Sequence, residues 1–479
     1  MFGGGFRFAD DLMLGLSSYV PPWVKTDPKR FPRAILRKAG GKMEIGDVLS
    51  VFHEESRKAD AKAFGKLMEH LKEIDGEHST VIMVQVENEC GLLGDSRDAS
   101  KAALKKFSEP VPQDLIKKLG GGFDKLRPEL RKALGTFKAT SSGSKGGSWE
   151  EVFGKSQQTD EIFMAYHYAL YLNQVASAGK QQYPLPLYTN VWQNYVGDDA
   201  ENPFPVVAGG GGFPGDYPSG GSVINVIDIW HAFAPSLDFI GPDIYLNEYS
   251  SSCAKYRHNN QPLFIPEQRR DDFGARRIWK AYGSFQALGA APFGIDTVEP
   301  ELNPFRKHYG LLNSMRQHVL QAQRDDSSVG FYFDEMNADG SDPSPKVEVQ
   351  FGEMKLTIQR SFVFGTPSPG WGMVIHTGKR TGRNTFMLIG LGFMVEFHHV
   401  SKQYTSILRF DEKEVVDAET GELRTLRMLN GDETRSGLYC IMPNEDPDYG
   451  GFPISITVPA GTCIAECEVY AIGEEEVDV

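Results

Sequence analysis

The chain is 479 residues long, and at roughly 100–200 residues per domain it has room for two or three folding units with buried cores. Hydrophobic residues at 40%, aromatics at 11% and charged residues at 24% exclude global disorder. With 50 Lys and Arg against 64 Asp and Glu the net charge is −14, a field that repels phosphate backbones and anionic membrane surfaces, so neither nucleic acid nor membrane is an expected partner.

Met1 to Asp11 lack the continuous apolar core and small-residue cleavage site of a secretory signal. Phe64, Leu67, Met68 and Leu71 recur at helical spacing between Glu55 and Ile74, which predicts an amphipathic surface helix. Thr80 to Val86 then form a β-branched apolar run too continuous for a half-exposed strand, as in a parallel sheet covered on both faces. The alternation continues: a helix from about Trp149 to Ala178 and a strand from Leu185 to Trp192; a helix from Val223 to Ala234 and a strand from Leu237 to Tyr245. Pro262 to Pro266 precede a helix near Ala275 to Leu288, and Ala291 to Asp296 precede one near Pro304 to Ala322. Such a sequence of elements is that of a (β/α)8 barrel, but five strands are present where closure takes eight.

Beyond Asp325 the helical period stops. Short strands are predicted at Val347 to Phe351, Leu356 to Phe364, Met373 to His376, Phe386 to Phe397 and Ile454 to Val458, with turns at Thr420-Gly421-Glu422 and Asn430-Gly431-Asp432. The expected division is therefore a partial α/β barrel over residues 1–325 and an all-β, sandwich-like domain over residues 326–479. The longest apolar run, near Thr385 to Val395, is about half of a membrane span and is broken by Gly390 and Gly392. The cysteines, Cys90, Cys253, Cys440, Cys463 and Cys467, are too scattered for a disulfide framework, no Asn-x-Ser/Thr sequon occurs, and compartment stays open.

Two acids stand where barrel chemistry is done. Glu89 lies in Gln85-Val86-Glu87-Asn88-Glu89-Cys90-Gly91 at the carboxyl end of the first buried strand, and Glu267 ends the strand Leu263 to Pro266. If the last of the five strands is the eighth of a barrel, these acids end the fourth and seventh and face each other across its mouth, as two catalytic carboxylates of a glycosidase do. Glu87 should point to the other face of its strand. Arg269 and Arg270 either fold back to help Glu267 or pair with Asp271 and Asp272. Gly210 to Gly215 match Gly-x-Gly-x-x-Gly literally but contain Pro214 and join no strand to a helix, so no dinucleotide site is expected. No metal-ligating spacing is found and no cofactor is expected.

The Gln85 to Gly91 motif resembles the acid/base motif of glycoside hydrolase family 35, the β-galactosidases. The resemblance extends through Ser17-Ser18-Tyr19-Val20-Pro21, Gly94-Asp95-Ser96-Arg97-Asp98, Thr189-Asn190-Val191-Trp192 and Gly241-Pro242-Asp243-Ile244-Tyr245, and into a β-rich tail like that of one microbial branch. It implies a retaining, exo-acting β-galactosidase acting on oligosaccharides or polysaccharides, with Glu89 as general acid/base, Glu267 as nucleophile, Asn88 on the sugar 2-hydroxyl, Trp192 as a ring platform and Tyr245 bonded to the nucleophile. It also implies three preceding strands, so the chain is expected to be a barrel without about its first three strands, weakly active or inactive, whose exported relatives carry their signal further upstream. A catalytically silent carbohydrate-binding homologue and a β-glycosidase for an arabinoside or fucoside are the alternatives.

Overall fold

The computed structural model of the chain describes residues 20–135, 137, 146–194, 210–361, 367–445 and 457–473. Ser17 to Tyr19, and the first three residues of the strand expected at Ile454 to Val458, lie outside them. The chain divides into two compact units, one ending at Glu267 and one running from Gln268 onward. Among the described residues no helix is long and apolar enough to cross a membrane.

After a short helix at Pro22–Lys25, the first unit holds a hairpin that the sequence reading missed: β1 (Arg33–Arg37) pairs antiparallel with β2 (Met43–Leu49). Then follow α1 (Glu54–Asp75) and, after short helices, α2 (Gln157–Gln182), which Ser156 caps by accepting the Thr159 N–H. Between them lies β3, reduced to Val84–Gln85. The expected strand starts late because the Asp75 carboxylate takes the N–H groups of Thr80 and Val81, at 3.0 and 2.7 Å, so these residues turn around a side chain instead of joining a ladder. β4 (Leu187–Trp192), α3 (Ile227–Phe233), β5 (Phe239–Asp243), α4 (Tyr249–Tyr256) and β6 (Phe264–Gln268) complete the alternation. β3, β4 and β5 form a parallel three-stranded sheet in that order. This is β/α organisation, but the eight-stranded closure of a barrel is not formed by the described strands of this unit.

The loop that follows the acid motif fastens the hairpin. Asp98 accepts the N–H of Ile35 at 3.0 Å and the hydroxyl of Ser50 at 2.6 Å. Arg37 grips Asp95 with two nitrogens and reaches Asp160 of α2, which Arg97 also pairs at 2.9 Å. The glycine-rich stretch after residue 209 lies on the same loop: Leu92 and Ser219 exchange backbone hydrogen bonds at 3.0 and 2.9 Å, and the Gly94 N–H donates to the Gly215 carbonyl at 2.8 Å. Its glycines therefore serve a close packing of backbones.

The second unit begins with α5 (Asp272–Ser284), β7 (Gly289–Pro292), α6 (Phe305–Ser314) and α7 (Arg316–Asp325). Its β part is two antiparallel sheets. One holds β9 (Val347–Phe351), β10 (Met354–Arg360), β13 (Phe393–His399) and β16 (Tyr439–Ile441). The other holds β8 (Ser328–Phe333), β11 (Gly370–His376), β12 (Thr385–Leu391), β14 (Tyr404–Asp417), β15 (Glu422–Met428) and β17 (Ile464–Ile472). Alternate residues of both sheets, among them Phe331, Phe333, Leu356, Ile358, Leu388 and Val395, meet in one apolar core, as in a sandwich. The single strand expected from Phe386 to Phe397 is two, because Gly392 at φ 77° lets the chain leave one sheet for the other. α5 lies against β8 with backbones touching: a Cβ on Gly330 would stand 1.8 Å from the Trp279 carbonyl oxygen.

Candidate active site

β4 sets the floor. Side chains alternate along a strand, so Tyr188, Asn190 and Trp192 share a face, and the ladder pairs them with Phe239, Gly241 and Asp243 of β5. Tyr188 stacks on Phe239 with centroids 5.2 Å apart and planes 4° apart, and Phe264 meets both edge-on. One step up, Gly241 leaves a gap that Pro266 of β6 fills; any Cβ there would come within 2.6 Å of the proline ring. β6 can therefore close on β5, and the Ile244 N–H donates to the Glu267 carbonyl at 2.9 Å.

The acid motif leaves β3 with its backbone twice in the left-handed region, at Glu87 (φ 59°) and Glu89 (φ 44°). A side chain there costs on the order of 1–3 kcal/mol per residue unless its surroundings hold it. Asn190, 1% exposed, supplies that hold. Its Oδ1 accepts the Glu89 N–H at 2.9 Å and Gln85 Nε2 at 3.1 Å; its Nδ2 donates to Asn88 Oδ1 at 3.1 Å and to Asp243 Oδ2 at 2.7 Å.

Glu89, Asp243 and Glu267 each offer a carboxylate oxygen, and these oxygens all lie within 4.8 Å of one another. Two unit charges at that distance repel by about 3 kcal/mol at an effective dielectric constant of 20, so the three do not all ionise together. Burial first, then the charges of Glu267 and Glu89, push the Asp243 carboxyl well above the usual range. Tyr245 donates its hydroxyl to Glu267 Oε2 at 2.7 Å, and its phenol is itself pushed up by burial and by Glu267, so it remains a donor at neutral pH. Converging carboxylate oxygens are also what a hard divalent cation takes, although Asn190 and Tyr245 already spend donors on two of these carboxylates.

Of the residues singled out in the sequence, Glu89, Glu267 and Tyr245 are brought together, Asn88 joins them through Asn190, and the ladder sets the half-buried Trp192 beside Asp243. Glu87 is buried apart from them in the field of Asp60, the α1 acid that accepts the Tyr171 hydroxyl, and burial pushes its carboxyl up to about 7. Arg269 turns to Asp271, and Arg270 to the Gly294 carbonyl and Thr297. Sequence reasoning gave no role to Asp243, Asn190 or Gln85, although all three stand within the quoted motifs. The signal available was their position at strand ends, two residues before Tyr245 and before Trp192.

Residues 305–440 match a family described as "Domain of unknown function (DUF5597)". No curated protein matches the chain in sequence. Solved structures similar to it are glycoside hydrolases. A β-galactosidase from Bacillus circulans sp. alkalophilus aligns at 16% identity and a TM-score of 0.37 over 63% of this chain and 46% of its own. One from the psychrophilic Marinomonas ef1 aligns at 13% and 0.37 over 65% and 49%. The catalytic domain of a β-amylase from Paenibacillus polymyxa aligns at 12% and 0.37 over 60% and 76%. The chain thus spans about half the length of the two β-galactosidases.

Proposed function

We propose that this chain is a retaining β-glycosidase, with a terminal β-D-galactosyl residue as its substrate unit and residues 1–325 as its catalytic domain. The observation that carries the reading is the approach of Glu89 and Glu267 oxygens to within 4.8 Å. Retaining enzymes hold their two carboxyl groups about 5–5.5 Å apart, whereas inverting ones leave about 6.5–9.5 Å for a water molecule. Galactose and the family 35 assignment rest on the motif resemblance alone.

In this mechanism a Glu267 oxygen attacks the anomeric carbon as the bond to the glycosidic oxygen breaks, and Glu89 gives that oxygen its proton. Water then loses a proton to Glu89 while its oxygen displaces Glu267, and configuration is retained. Tyr245 steadies the nucleophile; Asp243, uncharged, holds the space between the two acids without adding a third charge. Asn88 Oδ1 is taken by Gln85 and Asn190, which turns its amide N–H groups toward a sugar hydroxyl. Trp192 provides an apolar face for the ring.

Glu267→Gly with added azide tests the assignment. Turnover of an activated aryl β-galactoside should collapse and then return with azide, giving the α-galactosyl azide. If azide restores nothing and Glu89→Gln leaves the parent rate unchanged, both roles are wrong. Binding of galactosides without any turnover by the parent chain would identify a silent carbohydrate-binding homologue instead, and a panel of aryl glycosides ranks arabinoside and fucoside against galactoside.

A further inference from the structure

A second cluster lies at the other end of β5. Asp228 and His231 are three residues apart on α3, so they share a face of one helical turn. His258 follows α4, on the way to β6. One ligating atom from each of the three lies within 4.8 Å of the others, and the imidazoles lie nearly parallel, 5.9 Å apart at 23°. Their polar atoms converge on one point: His258 Nε2 is 2.5 Å from Asp228 Oδ1, and Asn259 Nδ2 sits 3.0 Å from His231 Nδ1 and 3.4 Å from the same Asp228 oxygen.

We propose that Asp228, His231 and His258 form a zinc site that ties the turn before β5 to the turn before β6. Two imidazole nitrogens and one carboxylate oxygen suit Zn2+ better than a hard cation. The three donors span distances that small side-chain rotations bring to the roughly 3–3.5 Å separation around a tetrahedral zinc. N–H protons now fill the place where a cation's charge would sit. Half a turn of the Asn259 carboxamide replaces its nitrogen by oxygen and completes a fourth ligand.

The outer contacts are those of a held metal ligand. Gln261 Oε1 lies 3.2 Å from His231 Nε2 and accepts its N–H, which leaves the ring's lone pair on Nδ1, and the Arg127 backbone N–H holds the second Asp228 oxygen at 2.6 Å. Gln261 also bonds the N–H and the carbonyl of Ile240, so the site is anchored to β5 itself. Burial keeps the His231 imidazole below its ordinary value. On binding, zinc takes the place of the proton on His258 Nε2, and the neutral ring carries that proton on Nδ1 instead.

The test uses the untagged full chain, stripped with a chelator and titrated with Zn2+ against a chromophoric competitor. One zinc per chain is expected, with affinity lowered at least about 100-fold in His258→Ala and about 10–100-fold in Gln261→Leu, and unchanged in Glu267→Gln. Circular dichroism checks that each variant is folded. Should the histidine variant not fold, the absorption spectrum of the Co2+-loaded parent decides, since nitrogen ligation at a tetrahedral site gives intense visible bands. Absence of stoichiometric zinc in the folded parent, octahedral cobalt bands, or zinc lost from Glu267→Gln but kept by His258→Ala would overturn the proposal.

Discussion

Replacing Asn190 by Leu probes the joint between the two halves of the active-site motif. The substitution keeps approximate volume and removes four hydrogen bonds, to the Glu89 N–H, Gln85, Asn88 and Asp243. At about 1 kcal/mol net for each bond, and with Asp243 Oδ2 left dry at 1–3 kcal/mol, the loss comes to about 3–5 kcal/mol after part is offset by the added apolar burial. That is a large share of a typical 5–15 kcal/mol. Urea unfolding should show the midpoint falling with an unchanged slope. Glu89 also loses the contact that holds its left-handed backbone, so kcat toward an aryl β-galactoside should fall roughly 100-fold while KM moves less. A variant within about 0.5 kcal/mol of the parent would refute the view that Asn190 carries this strain.

Three further outcomes are expected. Glu161 is 1% exposed, accepts the Tyr217 hydroxyl at 2.7 Å and is pushed by burial up to about 7 from 4.5. The folded state then holds a proton that the unfolded chain releases, so stability declines from about pH 4.5 to 7 and levels off beyond. Glu161→Gln should gain about 3 kcal/mol near pH 8 and almost nothing near pH 4 in paired denaturation curves. Gly330→Ala, driven into the Trp279 carbonyl, should destabilise the 268–479 unit by more than about 3 kcal/mol, read by tryptophan fluorescence. Trp192→Ala should raise KM several-fold with kcat little changed, the mark of an interaction made equally in ground and transition states.

The legible parts of the fold are those fixed by local pattern. Helix α1 extends one residue beyond each end of the expected Glu55 to Ile74, and β9 matches its expected bounds. What pattern could not reveal depends on distant partners. Thr80 to Met83 have strand composition, yet Asp75 intercepts the first two N–H groups. β14 is not among the expected strands; its charged Asp411 and Glu412 are buried and paired with Arg409, Lys413 and Arg427, which local pattern does not show. In the site, Glu89 and Glu267 stood out as acids at strand ends. Asp243 did not, because its importance comes from the two charges beside it, and Asn190 did not, because an amide reveals its four partners only once they are assembled.

The fastening of the first hairpin has a consequence for how the chain can be divided or recombined. Arg37 and Ile35 are held by Asp95 and Asp98, a few residues past Glu89. Residues some sixty positions apart thus behave as a single inherited block. A chimera that exchanges the hairpin without the loop would pair mismatched halves and disturb the approach to the acid, whereas one that moves both together keeps the joint intact.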